Sequence, residues 1–129
     1  MPLIPSFQSM IDNFFLKELK NDKGLESIDS TQAWINKNKV SIENFLEEHG
    51  VILFSDFPVK NAENFDHFVT AFNFETFTYE KSLSNAVRIN KTDKVFTANE
   101  APKEIEIFLH HEMAQTPIYP HRIFFFCKS

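Results

Sequence analysis

Phenylalanine content is the feature that most constrains the fold of this chain, because 16 of its 129 residues are phenylalanine and only 2 are glycine. Each ring removes roughly 150–250 Å² of surface from water when it is buried, so this many rings require a sizeable core. Hydrophobic residues make up 43% of the chain and charged residues 24%, which favours a globular protein over a disordered one. A chain of this length is expected to form a single domain over residues 1–129, with a modest core.

Charge and cysteine content argue against several classes of protein. The formal net charge is −5 and no run of lysine and arginine could follow a phosphate backbone, so a nucleic-acid partner is not expected. The single cysteine, Cys127, excludes a disulfide within the chain and fits a reducing compartment. The N-terminal sequence does not resemble a signal peptide, and no apolar stretch is long enough to span a bilayer. These features predict a cytoplasmic protein with no membrane partner.

Apolar residues at helical spacing predict three helical regions. Their expected ranges are Ser6–Lys20, Thr31–His49 and Asn61–Phe72. A turn is expected at Asn21–Gly24, between the first two helical regions. Asp29 or Ser30 is expected to cap the second region, and Gly50 to end it. A cap at Ser41 would instead divide this region into two short helices.

Short apolar runs predict strands at Val51–Phe54, Val87–Asn90, Lys94–Thr97, Ile105–Leu109 and Arg122–Cys127. The third helix carries an apolar stripe that we expect to pack on the sheet, formed by Phe65, Phe68, Val69 and Phe72. The run Arg122–Cys127 is apolar on both faces, which is typical of a central strand, and Cys127 is expected to be a small core residue. Little chain follows it, so we expect its uncovered rings to promote self-association.

The segment Leu109–Met113, with the sequence LHHEM, carries the side chains best suited to metal chemistry. In a strand, residues i and i+2 point to the same side, so His110 and Glu112 would converge on one ion while His111 faces away. His111 is then expected to pack or face solvent, although an irregular backbone would leave ligation open. An imidazole and a carboxylate, joined by a second histidine, form the facial triad of non-haem iron(II) oxygenases. By itself the His-x-Glu spacing is a weak signal that more often marks a salt-bridged surface pair.

Several segments surround this pair in a characteristic order. They read HGVILFSDFPV (residues 49–59), KVFTANEAP (94–102), IFLHHEMA (107–114), PIYP (117–120) and RIFFFC (122–127). Together they resemble the TauD/TfdA (taurine dioxygenase) family of iron(II)/2-oxoglutarate-dependent dioxygenases over about residues 31–127. One departure is Ser55-Asp56, where the family commonly has Arg-Gly. Many members also have aspartate at the position of Glu112.

The resemblance implies an α+β fold, with N-terminal helices packed outside a double-stranded β-helix (jelly roll) that would be incomplete in this chain. It assigns His110 and Glu112 as two iron ligands. Thr97, Asn99 and Glu100 would lie in a substrate or lid loop, although an ordinary turn explains them equally well. Arg88 matches no motif and is expected to form a buried ion pair.

The resemblance also implies an oxidoreductase that uses Fe(II), 2-oxoglutarate and dioxygen. Such an enzyme oxidises a C–H bond of a small organic substrate and releases succinate and CO₂. The family's later histidine and its 2-oxoglutarate-binding threonine and arginine have no counterpart here, so no cofactor-binding residue is identified beyond the iron ligands. His121 is a poor substitute for the later histidine, because the chain would have to return sharply. We therefore expect a truncated domain that is inactive alone; the alternative is a catalytically inactive remnant acting at most as a binding or structural module.

Overall fold

The computed structural model describes residues 15–76, 88–98, 100–114 and 116–128. The chain divides into two compact units, Met1–Val59 and Lys60–Ser129. The named elements follow the order β1 (Lys17–Lys20), α1 (Ile28–His49), β2 (Ile52–Ser55) and α2 (Ala62–Thr70). The described residues therefore mix helix and strand. None of their helices is long and apolar enough to cross a membrane.

The first unit is a βαβ arrangement in which β1 and β2 pair in parallel, with Lys17 opposite Ile52 and Lys20 opposite Ser55. Parallel strands need a long crossover connection, and α1 supplies it. Three α1 side chains are buried, namely Thr31, Ile35 and Ile42. Trp34 on the same helix packs against Phe57, with 5.2 Å between ring centroids. The second predicted helical region is thus one helix, not two short ones.

The ends of α1 follow capping chemistry. Ser27 accepts a hydrogen bond from the Ser30 amide at 3.1 Å, and the Ser27 amide donates to the Ser30 hydroxyl at 3.3 Å. Ser27 is therefore the N-cap, and the expectation of Asp29 or Ser30 is wrong because the helix begins earlier. At the other end Gly50 has φ +75° and its amide donates to the Leu46 carbonyl at 2.8 Å. That left-handed cap confirms the predicted end of the helix.

The predicted first helix is wrong over its last residues, because Lys17–Lys20 form β1. Residues 6–14 of that prediction lie outside the described residues. The Lys17 amide donates to the Val51 carbonyl, and the Asn21 amide to the Ser55 carbonyl, each at 3.0 Å. Pairing with a distant strand therefore overrides the local helical spacing. The predicted strand after Gly50 does form, but one residue later and less buried than expected, since Leu53 is 47% exposed.

The second unit is built around α2 and an aromatic core. Asn61 caps the helix by accepting from the Asn64 amide at 2.8 Å. The buried apolar residues of this unit are Phe68, Ala71, Phe72 and Met113. Phe124 lies 5.3 Å from Phe72 and Phe126 stacks on Phe65 at 5.4 Å, both between ring centroids. Part of the predicted apolar stripe is thus covered by rings near the end of the chain, and its packing on a sheet stays a prediction.

Several predicted strands of this unit do not form. Of the pair predicted at 87–90 and 94–97, the described residues show a single antiparallel bridge between Asn90 and Phe96. Residues 105–109 and 122–127 are irregular, and Cys127 is exposed instead of lying in the core. Within the described residues no other segment donates or accepts the ladder hydrogen bonds that a strand needs. The jelly-roll strands implied by the resemblance are accordingly not among the described residues.

Candidate metal centre

A tight turn, and not a strand, presents the predicted iron ligands. The Ala114 amide donates to the His111 carbonyl at 3.3 Å, and the Thr116 amide to the Met113 carbonyl at 3.0 Å. Met113 has φ +60°, an uncommon conformation for a residue with a side chain, and is only 3% exposed. Its buried side chain anchors the turn while the preceding residues stay near the surface. The prediction that His110 and Glu112 converge because they are residues i and i+2 of a strand is therefore wrong, since this segment is not a strand.

The turn nevertheless brings His110 and Glu112 together. His110 Nε2 lies 3.8 Å from Glu112 Oε2, and the two side chains are 58% and 21% exposed. His110 Nδ1 lies 2.7 Å from the Phe108 carbonyl oxygen. A carbonyl oxygen only accepts, so Nδ1 carries the proton and donates it. In the neutral ring, Nε2 then keeps its lone pair on the side of Glu112, the arrangement common for metal-binding histidines.

The donor types of this pair suit an octahedral iron(II) ion. Adjacent ligands about 2.1 Å from such an ion stand roughly 3 Å apart. The observed separation of 3.8 Å is longer, so the two side chains would have to move closer together to bind one ion. Imidazole with carboxylate is also the donor chemistry of non-haem iron(II) sites. The described residues contain no group of three histidine, cysteine, aspartate or glutamate side chains that could hold a metal ion.

Arg88 is the charged neighbour of Glu112, and the sequence predicted its ion pair but not its partner. Its Nη2 donates to Glu112 Oε1 at 3.2 Å, and the side chains of Arg88 and Glu112 are 19% and 21% exposed. Arg88 therefore forms the expected ion pair, although the pair is half-buried and not fully buried, and its partner is the proposed iron ligand. The guanidinium also lies 5.6 Å from the centroid of the Phe96 ring. No local signal in the sequence connects Arg88 with a carboxylate 24 positions later.

Glu112 consequently has two differently placed oxygens. Oε1 contacts Arg88, while Oε2 faces His110 Nε2. The hydrogen bond from Arg88 restricts the orientation of the carboxylate within the turn. A metal ion bound beside His110 would meet Oε2 first.

The two other histidines of this region pack around Tyr119. The His111 ring meets Tyr119 edge-on at 6.0 Å, and Tyr119 lies 5.5 Å from His121, both between ring centroids. His111 Nδ1 also lies 3.0 Å from the Glu112 carbonyl oxygen. These contacts give both rings a packing role, as the sequence favoured for His111.

Thr97 makes two hydrogen bonds to the backbone beside Arg88. Its amide donates to the Ile89 carbonyl at 2.9 Å, and its hydroxyl accepts from the Ile89 amide at 3.0 Å. Glu100 is exposed, and Asn99 lies outside the described residues. The substrate or lid role of these three residues stays a prediction. For Thr97 the contacts describe a residue that fastens the segment carrying Arg88.

Comparison with known proteins gives the class: residues 16–129 match the sequence model described as "Taurine catabolism dioxygenase TauD, TfdA family". The match covers most of the chain, so the chain belongs to the TauD/TfdA family of oxygenase-type enzymes. The match to the family begins at residue 16, whereas the motifs in the sequence indicated a resemblance only from about residue 31.

One curated relative is a clavaminate synthase-like protein of Arabidopsis thaliana. It is 39% identical to this chain over 94 residues, which is 73% of this chain and 28% of the relative. The matched stretch thus spans under a third of the relative's length.

Proposed function

We propose that this chain supplies two ligands, His110 and Glu112, to the Fe(II) centre of a 2-oxoglutarate-dependent dioxygenase. Such an enzyme oxidises a C–H bond of a small organic substrate with dioxygen and releases succinate and CO₂. The observation that carries the proposal is the 3.8 Å approach of His110 Nε2 to Glu112 Oε2 in a member of the TauD/TfdA family.

The protein's own residues have binding and orienting roles in this proposal. The Nδ1–H bond to the Phe108 carbonyl holds the His110 ring with Nε2 toward the metal position. Glu112 contributes negative charge through Oε2, and buried Met113 keeps the turn in place. When bound, iron(II) with 2-oxoglutarate supplies the redox chemistry that activates dioxygen. A third iron ligand is to be sought outside the described residues.

Anaerobic calorimetric titration with Fe(II) tests the two ligands. We expect His110→Ala and Glu112→Gln each to weaken Fe(II) binding by at least about tenfold, a loss already typical of residues that merely support a ligand. His111→Ala is the matched control, since it removes the neighbouring imidazole that packs on Tyr119. Equal Fe(II) affinity in wild type, His110→Ala and Glu112→Gln would refute the proposed site.

The second candidate is a catalytically inactive binding or structural module. It is favoured by the lack of a third ligand grouped with His110 and Glu112 within the described residues. Fe(II) binding that depends on His110 and Glu112 separates the two candidates, and succinate production is a second readout when the 129-residue chain is incubated with Fe(II), 2-oxoglutarate and dioxygen. We expect no iron-dependent succinate from this chain by itself, because the described residues group no third ligand with His110 and Glu112. Turnover would exclude the inactive module and contradict that expectation.

A further inference from the structure

The two oxygens of Glu112 differ in their surroundings, and Arg88 causes the difference. We propose that Arg88 is a positioning residue for the metal site: its contact with Oε1 of Glu112 holds the carboxylate so that Oε2 faces His110. The proposal rests on the proposed function of His110 and Glu112. Its direct support is the 3.2 Å contact from Arg88 Nη2 to Oε1, opposite the 3.8 Å approach of Oε2 to His110.

Arg88 is itself held in place, which a positioning residue requires. Its side chain is only 19% exposed, and its guanidinium lies 5.6 Å from the Phe96 ring centroid. The adjacent residue, Ile89, is bound to Thr97 through two hydrogen bonds, and the next, Asn90, forms the bridge with Phe96. The guanidinium therefore acts as a fixed hydrogen-bond donor toward the carboxylate, unlike a mobile surface cation.

Two effects of Arg88 on metal binding have opposite signs. Its positive charge repels a divalent cation and would weaken binding. Its hydrogen bond holds the carboxylate in one orientation and would strengthen binding, since less side-chain freedom is lost when the metal binds. Partners that orient metal ligands typically contribute about 10–100-fold to metal affinity. We expect orientation to be the larger effect, because Glu112 is 21% exposed and the contact with Arg88 restricts the rotation of its carboxylate.

Substitution of Arg88 distinguishes the two effects by the direction of the change. Mn(II) binding to the full chain is followed by electron paramagnetic resonance of the free ion. We expect Arg88→Met, which removes both the charge and the donor, to weaken Mn(II) binding by at least about tenfold. Arg88→Lys restores a cationic donor, and since the contact involves one nitrogen, it should recover part of the loss.

Arg122→Met is the matched control. Arg122 also lies near an aromatic ring, 5.8 Å from the Phe74 centroid, but it donates to the His121 carbonyl and not to a carboxylate. Its removal should change Mn(II) affinity by less than about twofold, below the range for a residue that orients a ligand. A tenfold loss in this variant would show that any arginine of the unit supports binding, which overturns the specific role of Arg88.

The visible absorption spectrum of bound Co(II) separates positioning from a merely structural role. Release of Oε1 in Arg88→Met would let Glu112 bind through both oxygens, and the band position and intensity should change. A purely structural arginine would lower the melting temperature and leave the spectrum of the metal-loaded protein unchanged. Mn(II) binding by Arg88→Met as tight as in wild type or tighter, with an unchanged Co(II) spectrum, overturns the proposal. Undiminished binding by His110→Ala would instead overturn the proposed function, and the Arg88 proposal with it.

Discussion

Asp56 shows how a single backbone angle explains a departure from the family pattern. The residue has φ +62°, in the left-handed region that glycine adopts freely and that aspartate tolerates better than most residues. The resembling family commonly has glycine at this position, after arginine. Asn21 donates from its side chain to the Asp56 carbonyl at 3.0 Å, which ties this turn to the end of β1. The 3.4 Å ion pair between Lys20 and Asp56 is more than half exposed and contributes little.

Glycine at position 56 should therefore give a more stable protein than alanine. We expect Asp56→Gly to have a free energy of unfolding about 1 kcal/mol higher than Asp56→Ala, because alanine pays for the left-handed conformation. Urea denaturation measures both variants. Asp22 provides the comparison, since it lies in the neighbouring turn without a positive φ, and there alanine should match or exceed glycine. If Asp56→Ala proves as stable as Asp56→Gly, the strain argument is wrong.

At the scale of elements, α1 is the part of the chain whose limits depend most on local chemistry. Ser27 has the extended backbone of an N-cap, with φ −128° and ψ 157°, and forms a capping box with Ser30. The Thr31 hydroxyl, in a fully buried residue, donates to the Ser27 carbonyl at 2.9 Å. The start of the helix is thus linked by hydrogen bonds to its first buried side chain.

Two serine substitutions test this description of α1. Ser27→Ala should lower the free energy of unfolding by about 1 kcal/mol, because the Ser30 amide loses its acceptor. Ser41→Ala should leave it unchanged or raise it by a few tenths of a kcal/mol, because Ser41 is exposed inside the helix and alanine has the higher helix propensity. Thermal unfolding followed by circular dichroism checks both. The reverse order would indicate that a helix begins at Ser41, as the sequence alone left open.

At the scale of the whole molecule, the second unit exposes several large apolar side chains. Among the described residues they are Ile89, Ile105, Ile107, Phe108, Leu109, Ile118, Tyr119, Ile123 and Phe125. Between residues 124 and 127, half-buried Phe124 and Phe126 alternate with exposed Phe125 and Cys127. The burial of the side chains therefore alternates as in a strand, although the segment pairs with no strand among the described residues. One side of the segment is exposed to water. Exposed apolar surface of this kind favours association, so we still expect self-association through this side. It stays a prediction.

The two neighbouring rings give a sharp test of self-association. Phe125 is 84% exposed, so Phe125→Ser should reduce the apparent mass in light scattering without lowering the melting temperature. Phe126 stacks on Phe65, so Phe126→Ser should lower the free energy of unfolding by roughly 2–4 kcal/mol, less than full burial would imply. A wild-type chain that stays monomeric at high concentration would contradict the self-association prediction.

The sequence by itself determined the helices after residue 27, the left-handed end at Gly50, the family, and the candidate pair His110 and Glu112. These features depend on neighbours within a few positions, or on motifs that keep their order along the chain. The tertiary structure alone decided that Lys17–Lys20 is a strand and that residues 105–109 and 122–127 are not. It also decided that a turn with Met113 at φ +60° presents the ligands, and that Arg88 contacts Glu112. The physical reason is that strands and ion pairs require partners far along the chain, and local spacing does not say whether those partners are present.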